Sequence, residues 1–560
     1  MTSIQGILST RNYKQFTILS PDDGKTVLHE SPALEGCGNV ALLAKGCLPG
    51  DTVEWTGSRY NLIERTGHPM LVGTLELASR TTYGMTSRGA HIFLFVPYNK
   101  SYPPFVVGSS EKDRSTHRLA VIQVDSWDSA TSQFPRGRLE HMLGPVGDLK
   151  SEEDALLWHA CPWPSLRTKH VVPPAHPIPA IEADARRRIL TGFTFNIDPP
   201  GCRDIDDVIT MEHIAGTQRW NVTITIADVA AFVDEMGALD ILASTFGQTL
   251  YKDGEAVRPM LPPTLSEGTC SLLAGAERRG VSMTFVWDRT NQTRGPVEWF
   301  ESVFTNDASY TYEQFQVETR PSREVLREVA GGSDDSHKWV EAMMLLYNTE
   351  AAKLLRSART GILRRHTAPD AERLARYVAW DPSLARLAMS SATYCLADET
   401  DVAHFGIGTE VYCHASSPIR RYADLMNQRI LKQIIRGTTE GLMVSVPVED
   451  LVVREKAAKQ YEKKLVFLRE LLGGPRTVVG RILEIVPEKQ KIRVWVETWK
   501  TIVSVRGGAD CASFAEGEEV QLECAINLLS RRWSERMVVR VSKCASTDCQ
   551  EAQCPAPADS

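Results

Sequence analysis

The sequence predicts an α+β multidomain protein in which small β-barrels at both ends flank a central mixed α/β domain. The chain has 560 residues, which suggests roughly three to five structural units, because one hydrophobic core rarely serves so long a chain. Both ends carry short apolar–polar alternations separated by Gly and Pro, as in β-barrels. The middle of the chain mixes such strands with apolar residues at helical spacing.

Two β units are predicted before the central domain. In the first, a turn leads into a strand within Leu48–Trp55, and the second contains strand patterns at Ile92–Pro97, Pro104–Gly108 and Leu119–Trp127. Short strands at regular spacing favour barrels, and barrels of the OB type bind single-stranded nucleic acid through groove charge and aromatic stacking. The pattern by itself fits any small β-barrel.

The predicted boundaries divide the chain into six parts. A Pro- and His-rich linker follows the second β unit, with a helix predicted over 180–189. An amphipathic helix over 450–472 ends the central domain, and short strand patterns follow it. The parts are residues 1–70 and 71–162 for the two β-barrels, 163–185 for the linker, 186–472 for the central domain, 473–543 for the C-terminal barrel and 544–560 for a disordered tail.

The central domain opens with four carboxylates within ten residues: Asp198, Asp204, Asp206 and Asp207. The run 192–197 alternates like a half-buried strand, Pro199–Gly201 breaks it, and 208–214 is extended again. The acids are therefore predicted on a bend between two strands. Extended geometry would place Asp204 and Asp206 on one face and Asp207 on the other, so a shared site requires the bend to bring them together.

Four like charges converging out of bulk water repel one another, so either their pKa values rise or a divalent cation neutralises them. All-oxygen sites suit magnesium, with manganese as the alternative, and two such ions can clamp an in-line phosphoryl displacement. A solvated acidic turn or a calcium loop would also fit, although the spacing departs from the EF-hand pattern. The stretch is thus a candidate metal site.

A second cluster lies in His414–Leu431, where the pattern predicts the start of a helix. Ser416 or Ser417 can cap it and Pro418 suits its first turn. Arg420 and Arg421 would then sit in the first turn, where the helix dipole disfavours cations, so an anion such as phosphate is expected nearby. An ion pair from Arg420 to Asp424 is the equally permitted alternative.

Composition limits the class of protein. A net charge of −7 with 24% charged residues gives no global basic footprint, although a local basic channel is still allowed. The 12 cysteines include no Cys-x-x-Cys pair, which favours a reducing compartment. No apolar run is long enough to span a bilayer and the N-terminus lacks a signal-peptide core, so we expect an intracellular protein without membrane association. The compartment within the cell is left open.

The two clusters resemble the signatures of the RNase II (RNB) family of exoribonucleases, especially its eukaryotic exosome-nuclease branch. The resemblance is carried by Asp198-Pro-Pro-Gly-Cys-Arg-Asp-Ile-Asp-Asp207, by Ser417-Pro-Ile-Arg-Arg-Tyr422 with the preceding His404–Gly408, and by Met260–Leu273. It implies that the four aspartates bind magnesium and position the scissile phosphate, with Asp206 and Asp207 catalytic. It also implies that Arg420 contacts that phosphate and that Arg421 lies beside the RNA.

The same resemblance implies further RNA-binding residues. Tyr251 and Tyr312 match positions that hold the 3′-terminal nucleotides, and Glu341 matches a further contact. It also identifies the N-terminal units as paired OB-type cold-shock domains, the central part as the RNB catalytic domain and the last barrel as an OB-type module like those of ribosomal RNA-binding proteins. The sequence departs from the family pattern at three places: Thr269 replaces Leu, Ala415-Ser416 replaces Phe-Thr, and Gln428 replaces His.

The function expected from this resemblance is processive 3′-to-5′ hydrolysis of single-stranded RNA to nucleoside 5′-monophosphates by two-metal-ion catalysis. The alternative is a catalytically inactive RNA-binding regulator with the RNB fold, and a scaffold subunit of an RNA-decay assembly is a third class. The expected partners are single-stranded RNA and subunits of an RNA-decay complex or a helicase. The catalytic unit is expected to be monomeric. Nothing ahead of the first barrel resembles the endonuclease domain of exosome-bound enzymes, which argues against stable exosome attachment.

Overall fold

The structure is a computed structural model that describes residues 3–31, 43–128, 130–162, 186–438, 444–506 and 511–544. The described residues fall into two compact units, one from Met1–Pro164 with Gln460–Ser560 and one from Ser165–Lys459. The predicted linker at 163–185 and all but the first residue of the predicted tail lie outside the described residues. Across the described parts of the chain, no helix combines the length and the apolar character needed to cross a membrane.

The chain begins with a five-stranded antiparallel sheet in the order β3-β2-β1-β4-β5. Alternate residues of its strands face a small core that includes Leu8, Phe16, Ile18 and Val53, as expected for strands with one buried face. The strands are β1 (Ile4–Thr10), β2 (Phe16–Leu19), β3 (Val27–Glu30), β4 (Thr52–Trp55) and β5 (Tyr60–Glu64).

The second β domain is a closed barrel in the order β10-β8-β7-β6-β9. Closure depends on a short parallel contact between β10 and β8, which removes the exposed edges of the sheet. Helix α1 (Leu149–Ala160) follows the last strand and is capped by Asp148, whose carboxylate accepts from the Ser151 N–H. The strands are β6 (Leu71–Leu75), β7 (His91–Pro97), β8 (Phe105–Ser109), β9 (Arg118–Ser126) and β10 (Arg136–Pro145).

An eight-stranded mixed sheet forms the centre of the second unit, in the order β11-β19-β17-β14-β13-β12-β20 with β18 paired to β17. Two contacts are parallel, β11 with β19 and β12 with β20, and the others are antiparallel. The strands are β11 (Arg188–Ile189), β12 (Phe193–Ile197), β13 (Asp207–His213), β14 (Arg219–Ala227), β17 (Glu277–Asp288), β18 (Thr293–Arg294), β19 (Glu298–Thr305) and β20 (Ala308–Tyr310).

Helices and two small two-stranded sheets complete the second unit, and its last helix continues into the first unit. The two-stranded sheets are β15 (Leu250–Lys252) with β16 (Glu255–Arg258) and β21 (Ile362–Arg365) with β22 (Thr393–Leu396). The helices are α2 (Ala238–Phe246), α3 (Tyr312–Gln316), α4 (Pro321–Val329), α5 (Ser336–Ser357), α6 (Ala371–Trp380), α7 (Ala385–Ala388), α8 (Tyr422–Ile435) and α9 (Val448–Leu472).

Both faces of the central sheet are buried, which decides the environment of the acidic stretch. On β13, Val208 packs in one hydrophobic cluster with Ile205 and Tyr422, while its neighbour Ile209 packs in another with Trp339 of α5. Successive residues of a strand point to opposite faces, so Asp207, at the start of β13, adjoins a strand covered on both sides. The carboxylates therefore lie where bulk water reaches them poorly.

The chain ends in another five-stranded antiparallel sheet, in the order β25-β24-β23-β26-β27. Within the first unit, the buried guanidinium of Arg536 joins this domain to Glu152 of α1, with Nη1 2.5 Å from Oε2. The elements are β23 (Arg476–Val486), β24 (Lys491–Val496), β25 (Thr501–Arg506), β26 (Glu519–Ile526), α10 (Trp533–Arg536) and β27 (Met537–Lys543).

The predicted fold class is confirmed: β-barrel-like domains at both ends flank a mixed α/β domain. Within the described residues, hydrogen bonds close the ring of strands in the second β domain, whereas the first and last domains are five-stranded sheets. The helix predicted over 180–189 is wrong where it can be compared, because Arg188–Ile189 is a strand that pairs with Ser302–Val303. Sheet pairing here outweighs the local preference of an Arg-rich run for helix.

Candidate active site

The acidic stretch forms the loop between β12 and β13. Gly201 has φ of +80°, a conformation that glycine adopts without a steric penalty, and it reverses the chain after Pro199-Pro200. The two ends of the loop are paired into the sheet: the Asp198 N–H donates to the Tyr310 carbonyl at 3.0 Å, and the Asp206 carbonyl accepts from Ala227 at 2.8 Å. The sheet therefore brings the two ends of the stretch side by side.

Asp206 is the most buried of the four acids, with 3% of its surface exposed. Its Oδ1 accepts from the backbone N–H of Ile419 and its Oδ2 from Nε of Arg420, both at 3.0 Å. Burial raises the pKa of Asp206 to about 7, although Arg420 opposes the shift. One guanidinium therefore compensates this charge only in part.

Two of the other acids, Asp207 and Asp198, also have raised pKa values. Burial, reinforced by the charges of Asp198 and Asp206, raises the pKa of Asp207 well above its usual range. Burial likewise raises the pKa of Asp198, whose Oδ2 accepts from Asn196 Nδ2 at 2.9 Å. Asp204 accepts a hydrogen bond from the Tyr251 hydroxyl. The charge of Asp204 adds to the cost of ionising Asp198, and the charges of Asp198 and Asp206 add to the cost of ionising Asp207.

Arg420 and Arg421 precede helix α8, which begins at Tyr422 with Arg421 as its N-cap. The predicted start at Ser416–Pro418 is therefore wrong. Arg421, rather than Arg420, pairs with Asp424, with Nε and Nη2 lying 2.9 and 2.8 Å from its two oxygens. Asp424 also accepts a hydrogen bond from the Ser417 N–H at 2.8 Å. This carboxylate therefore satisfies a backbone donor of the non-helical turn that stands where the first helical turn was predicted.

This turn leaves the two arginines in different situations. The side chain of Arg420 is 45% exposed, and beyond Asp206 it donates from Nη2 to Ser417 Oγ at 3.1 Å. A guanidinium carries five donors, so Arg420 retains donors for an incoming phosphate. The guanidinium of Arg421 instead forms a bidentate pair with the wholly buried Asp424, which makes it part of the support for the turn.

Backbone hydrogen bonds between the segment before β15 and the arginine turn place Tyr251 near the acids. The Thr249 N–H donates to the Arg420 carbonyl and the Tyr422 N–H donates to the Gly247 carbonyl, both at 2.9 Å. The segment before β15 therefore runs beside the arginine turn, and β15 carries Tyr251 onto Asp204. The structure thus brings Asp204, Asp206, Arg420 and Tyr251 together from three separate parts of the chain.

Tyr312 lies near Asp198 and Asp207, and Glu341 lies on the helix that carries the stacking partner of Tyr312. Tyr312 is the first residue of α3, and its pKa is raised to about 12 by burial and by the nearby charges of Asp198 and Asp207. Its ring stacks on His337 with centroids 3.9 Å apart and planes 8° apart. Glu341 is exposed on α5 one turn after His337, so both residues share one face of the helix.

The donor chemistry of this site suits a hard divalent cation. Among the residues that the structure describes, no three His, Cys, Asp or Glu side chains stand in a metal-holding arrangement, and Asp206 and Asp204 are engaged by Arg420 and Tyr251. However, carboxylate oxygens are the ligands that Mg²⁺ and Mn²⁺ prefer, and a cation would offset the burial and the like charges that raise the pKa values of Asp198, Asp206 and Asp207. Asp198, Asp204, Asp206 and Asp207 are the residues that would hold it.

Two residues that depart from the family pattern, Gln428 and Ser416, have structural roles. Gln428 accepts from the Ala230 N–H at 3.0 Å and donates to the Ala227 carbonyl at 2.7 Å, which joins α8 to the end of β14. Ser416 Oγ accepts from Asn348 Nδ2 at 3.1 Å. Both side chains are buried and hydrogen-bonded, so neither change leaves an unpaired polar group next to the site.

Sequence reasoning missed several residues that contact the predicted site. They are polar residues of ordinary type that match no catalytic motif, and only their partners reveal them: Asn196, Ser271 and His337. Ser271 could have been noticed, because it lies within the quoted run Met260–Leu273. Asn196 contacts Asp198 only two residues away but matches no catalytic motif, and His337 meets Tyr312 only once the chain has folded.

Comparison with known proteins adds a family assignment. The RNB domain matches residues 186–324 and 324–437, and the Dis3-like cold-shock domain 2 (CSD2) matches residues 92–160. Exosome complex exonuclease RRP44 of Mus musculus is 24% identical over 467 residues, which cover 67% of this chain and 48% of that protein. The chain therefore spans about half the length of the curated relatives that it matches.

Solved structures share the fold. RNase R of Mycoplasma genitalium, in complex with ribose methylated single-stranded RNA, superposes with a TM-score of 0.70 at 17% identity and covers 96% of this chain and 100% of that one. Yeast Ssd1, described as a pseudonuclease, superposes with a TM-score of 0.61 at 16% identity and covers 93% and 81%. With the acidic loop and the arginine turn in the matched region, the chain belongs to the RNB family.

Proposed function

We propose that this protein is a processive 3′-to-5′ exoribonuclease that hydrolyses single-stranded RNA to nucleoside 5′-monophosphates with two divalent metal ions. The observation that carries the proposal is the pairing of Arg420 with Asp206, Nε to Oδ2 at 3.0 Å, inside a group of carboxylates with raised pKa values. A half-exposed guanidinium beside under-compensated acids suits a phosphodiester, which presents an anion to the arginine and oxygen ligands to the cations.

Each residue has a role that follows from its position. Asp198, Asp204, Asp206 and Asp207 would hold Mg²⁺ or Mn²⁺, which supply charge neutralisation and an activated water nucleophile when bound. Arg420 would contact the scissile phosphate with the N–H groups that Asp206 and Ser417 leave available, and stabilise the charge that develops there. The pairing with Asp206 holds the Arg420 guanidinium beside the carboxylates before the substrate arrives.

The terminal nucleotides would be held by aromatic and polar side chains. Tyr312, stacked on His337, offers its ring to a base, and Tyr251 offers a hydroxyl beside Asp204. Glu341 is exposed on α5 and can accept a hydrogen bond from a ribose or base. We further propose that the β domains within 1–70, 71–162 and 473–543 add binding surface for single-stranded RNA, and that RNA-decay subunits or a helicase deliver the substrate.

A non-catalytic RNA-binding regulator is the second candidate. The observation that favours it is the shared fold with Ssd1, described as a pseudonuclease. Retention of all four aspartates and Arg420 in one site favours the nuclease instead. The two candidates differ in one measurable property, because only the nuclease shortens RNA.

The test is magnesium-dependent digestion of a 5′-labelled single-stranded RNA. The wild-type protein should yield a short end-product by shortening from the 3′ end, and Asp206→Asn should lower the rate at least about 100-fold. Asp234→Asn removes an exposed carboxylate of the same unit and should leave the rate unchanged. RNA binding without digestion by the wild-type protein would support the regulator, and equal digestion by the wild type and Asp206→Asn would show a contaminating nuclease.

A further inference from the structure

A buried hydroxyl forms hydrogen bonds with the backbone of the acidic loop. Ser271, wholly buried, accepts from the Ile205 N–H at 3.0 Å through Oγ and donates from the same Oγ to the Arg203 carbonyl at 2.7 Å. Its neighbour Leu272 donates from its N–H to the Ile205 carbonyl at 3.0 Å. These three bonds fix the backbone on both sides of Asp204 and immediately before Asp206.

A second set of bonds extends the same support to the other end of the loop. Asn306 Nδ2, also wholly buried, donates to the Leu272 carbonyl at 2.7 Å and to Asn196 Oδ1 at 2.8 Å. Asn196 in turn donates from Nδ2 to Asp198 Oδ2 at 2.9 Å. An unbroken path of hydrogen bonds therefore runs from Asp198 to the backbone around Asp204.

We propose that Ser271, Asn306 and Asn196 are positioning residues that set the spacing between Asp198 and the Asp204–Asp207 end of the loop, and thereby the affinity of the site for its divalent cation. The inference rests on the proposed function for the identity of that cation. Carboxylates that repel one another relax apart unless the backbone that carries them is held. A buried polar network whose members are all hydrogen-bonded is rigid enough to hold it.

The network suits this role better than a purely structural one because of what it contacts. Ser282 and Ser302 form another buried hydroxyl pair in the same sheet, with Oγ atoms 2.7 Å apart, but they bond each other across strands β17 and β19. The Ser271 hydroxyl instead both donates a hydrogen bond to the backbone of the acidic loop and accepts one from it. Ser302→Ala is therefore the matched control, since it removes a wholly buried hydroxyl that does not bond to the acidic loop.

The experiment measures Mn²⁺ binding to the full chain by calorimetry, together with Tm and the Mg²⁺ concentration for half-maximal RNA digestion. Ser271→Ala should weaken Mn²⁺ binding and raise the half-maximal Mg²⁺ concentration roughly 10- to 100-fold, the range seen when groups that orient metal ligands are removed. The KM for RNA at saturating Mg²⁺ should change little, and excess Mg²⁺ should restore the rate. Ser302→Ala should lower Tm by a similar amount and leave cation binding unchanged.

Asn196→Ala tests the opposite end of the loop and should give the same loss of affinity, which keeps the inference testable if Ser271→Ala fails to fold. Wild-type affinity for Mn²⁺ in both folded variants would overturn the inference. Mn²⁺ binding by a wild-type protein that digests no RNA would instead overturn the proposed function, while the effect of Ser271→Ala on binding would still decide the role of the network.

Discussion

Two buried aspartates of the central unit meet opposite electrostatic conditions. Asp228, 2% exposed, receives Lys432 Nζ at 2.6 and 2.8 Å and Arg187 Nη2 at 2.6 Å. Glu301 joins the same group, contacting Arg187 Nη2 at 3.0 Å and Arg436 Nε at 2.5 Å. Asp206 is just as buried, at 3%, but its cationic partner is the half-exposed Arg420.

The pKa values follow this difference. Burial alone would raise the pKa of Asp228, but Lys432 and Arg187 outweigh it and hold the pKa below the usual value. At Asp206 burial prevails over Arg420 and the pKa rises to about 7. The first group is compensated within the protein and stabilises the fold, whereas the second leaves negative charge for a cation to neutralise. Residue type and burial are the same, so the number of nearby bases separates the two roles.

The largest expected effect is on stability. Asp228→Asn leaves Lys432 and Arg187 without a buried carboxylate, and breaking a buried ion pair costs about 3–5 kcal/mol. We expect the Tm of the corresponding transition to fall by roughly 10 °C, as measured by differential scanning calorimetry. The folded fraction should retain its nuclease rate, and an unchanged Tm would show that the Asp228 group is not the structural member of the pair.

The same substitution at Asp206 should act in the opposite direction. A carboxyl whose folded pKa is raised holds its proton more tightly when folded, so its ionisation opposes folding as pH rises from about 4 to about 7. The shift from 3.8 to about 7 corresponds to at most about 4 kcal/mol, at roughly 1.4 kcal/mol per unit. In a chelator, Asp206→Asn should therefore raise Tm at pH 8.

The difference should shrink as the pH is lowered toward 4, because the wild-type carboxyl is then protonated in the folded protein. Calorimetry of both proteins at pH 8 and pH 5 checks this. A lower Tm for Asp206→Asn at both pH values would mean that the Arg420 pair compensates the charge fully, contrary to the comparison.

The third effect distinguishes the two arginines of the turn. Arg420→Ala removes a group placed to stabilise developing phosphate charge, and we expect RNA digestion to slow about 10²- to 10³-fold, or roughly 3–4 kcal/mol in the barrier. Its half-exposed side chain should contribute little to Tm. Arg421→Lys breaks the bidentate fork to Asp424 and should lower Tm while slowing digestion less. If both variants lost the same rate and the same Tm, both arginines would act mainly by stabilising the turn.

The smallest effect concerns RNA affinity. Loss of a stacking aromatic costs about 1–3 kcal/mol per base, so Tyr312→Ala should weaken binding of single-stranded RNA roughly 5- to 150-fold. Tyr312→Phe keeps the ring that stacks on His337 and should bind nearly as well as the parent. Both changes are made in the Asp206→Asn background to prevent digestion, and Kd is read by fluorescence anisotropy. Equal loss in the Phe variant would assign the effect to the hydroxyl instead.

The fold class, the acidic bend and the segment that carries Arg420 and Arg421 follow from local sequence patterns. The strands flanking the bend follow from period-two alternation interrupted by Pro199-Pro200-Gly201, and helices α5 and α9 follow from apolar residues at helical spacing. These features depend on residues close together in the chain, which is why a single sequence reveals them.

Which charges meet depends instead on contacts between distant parts of the chain. Asp206 and Arg420 lie 214 residues apart in sequence, and Asp228 meets Lys432 across 204 residues. Helix α8 begins at Tyr422 and not at the predicted Ser416–Pro418, because Asp424 and the Gly247–Thr249 segment form hydrogen bonds with the backbone of the turn before it. Local pattern carries no information on such pairings, and whether a buried acid is compensated by a base, and hence structural or reactive, depends on them.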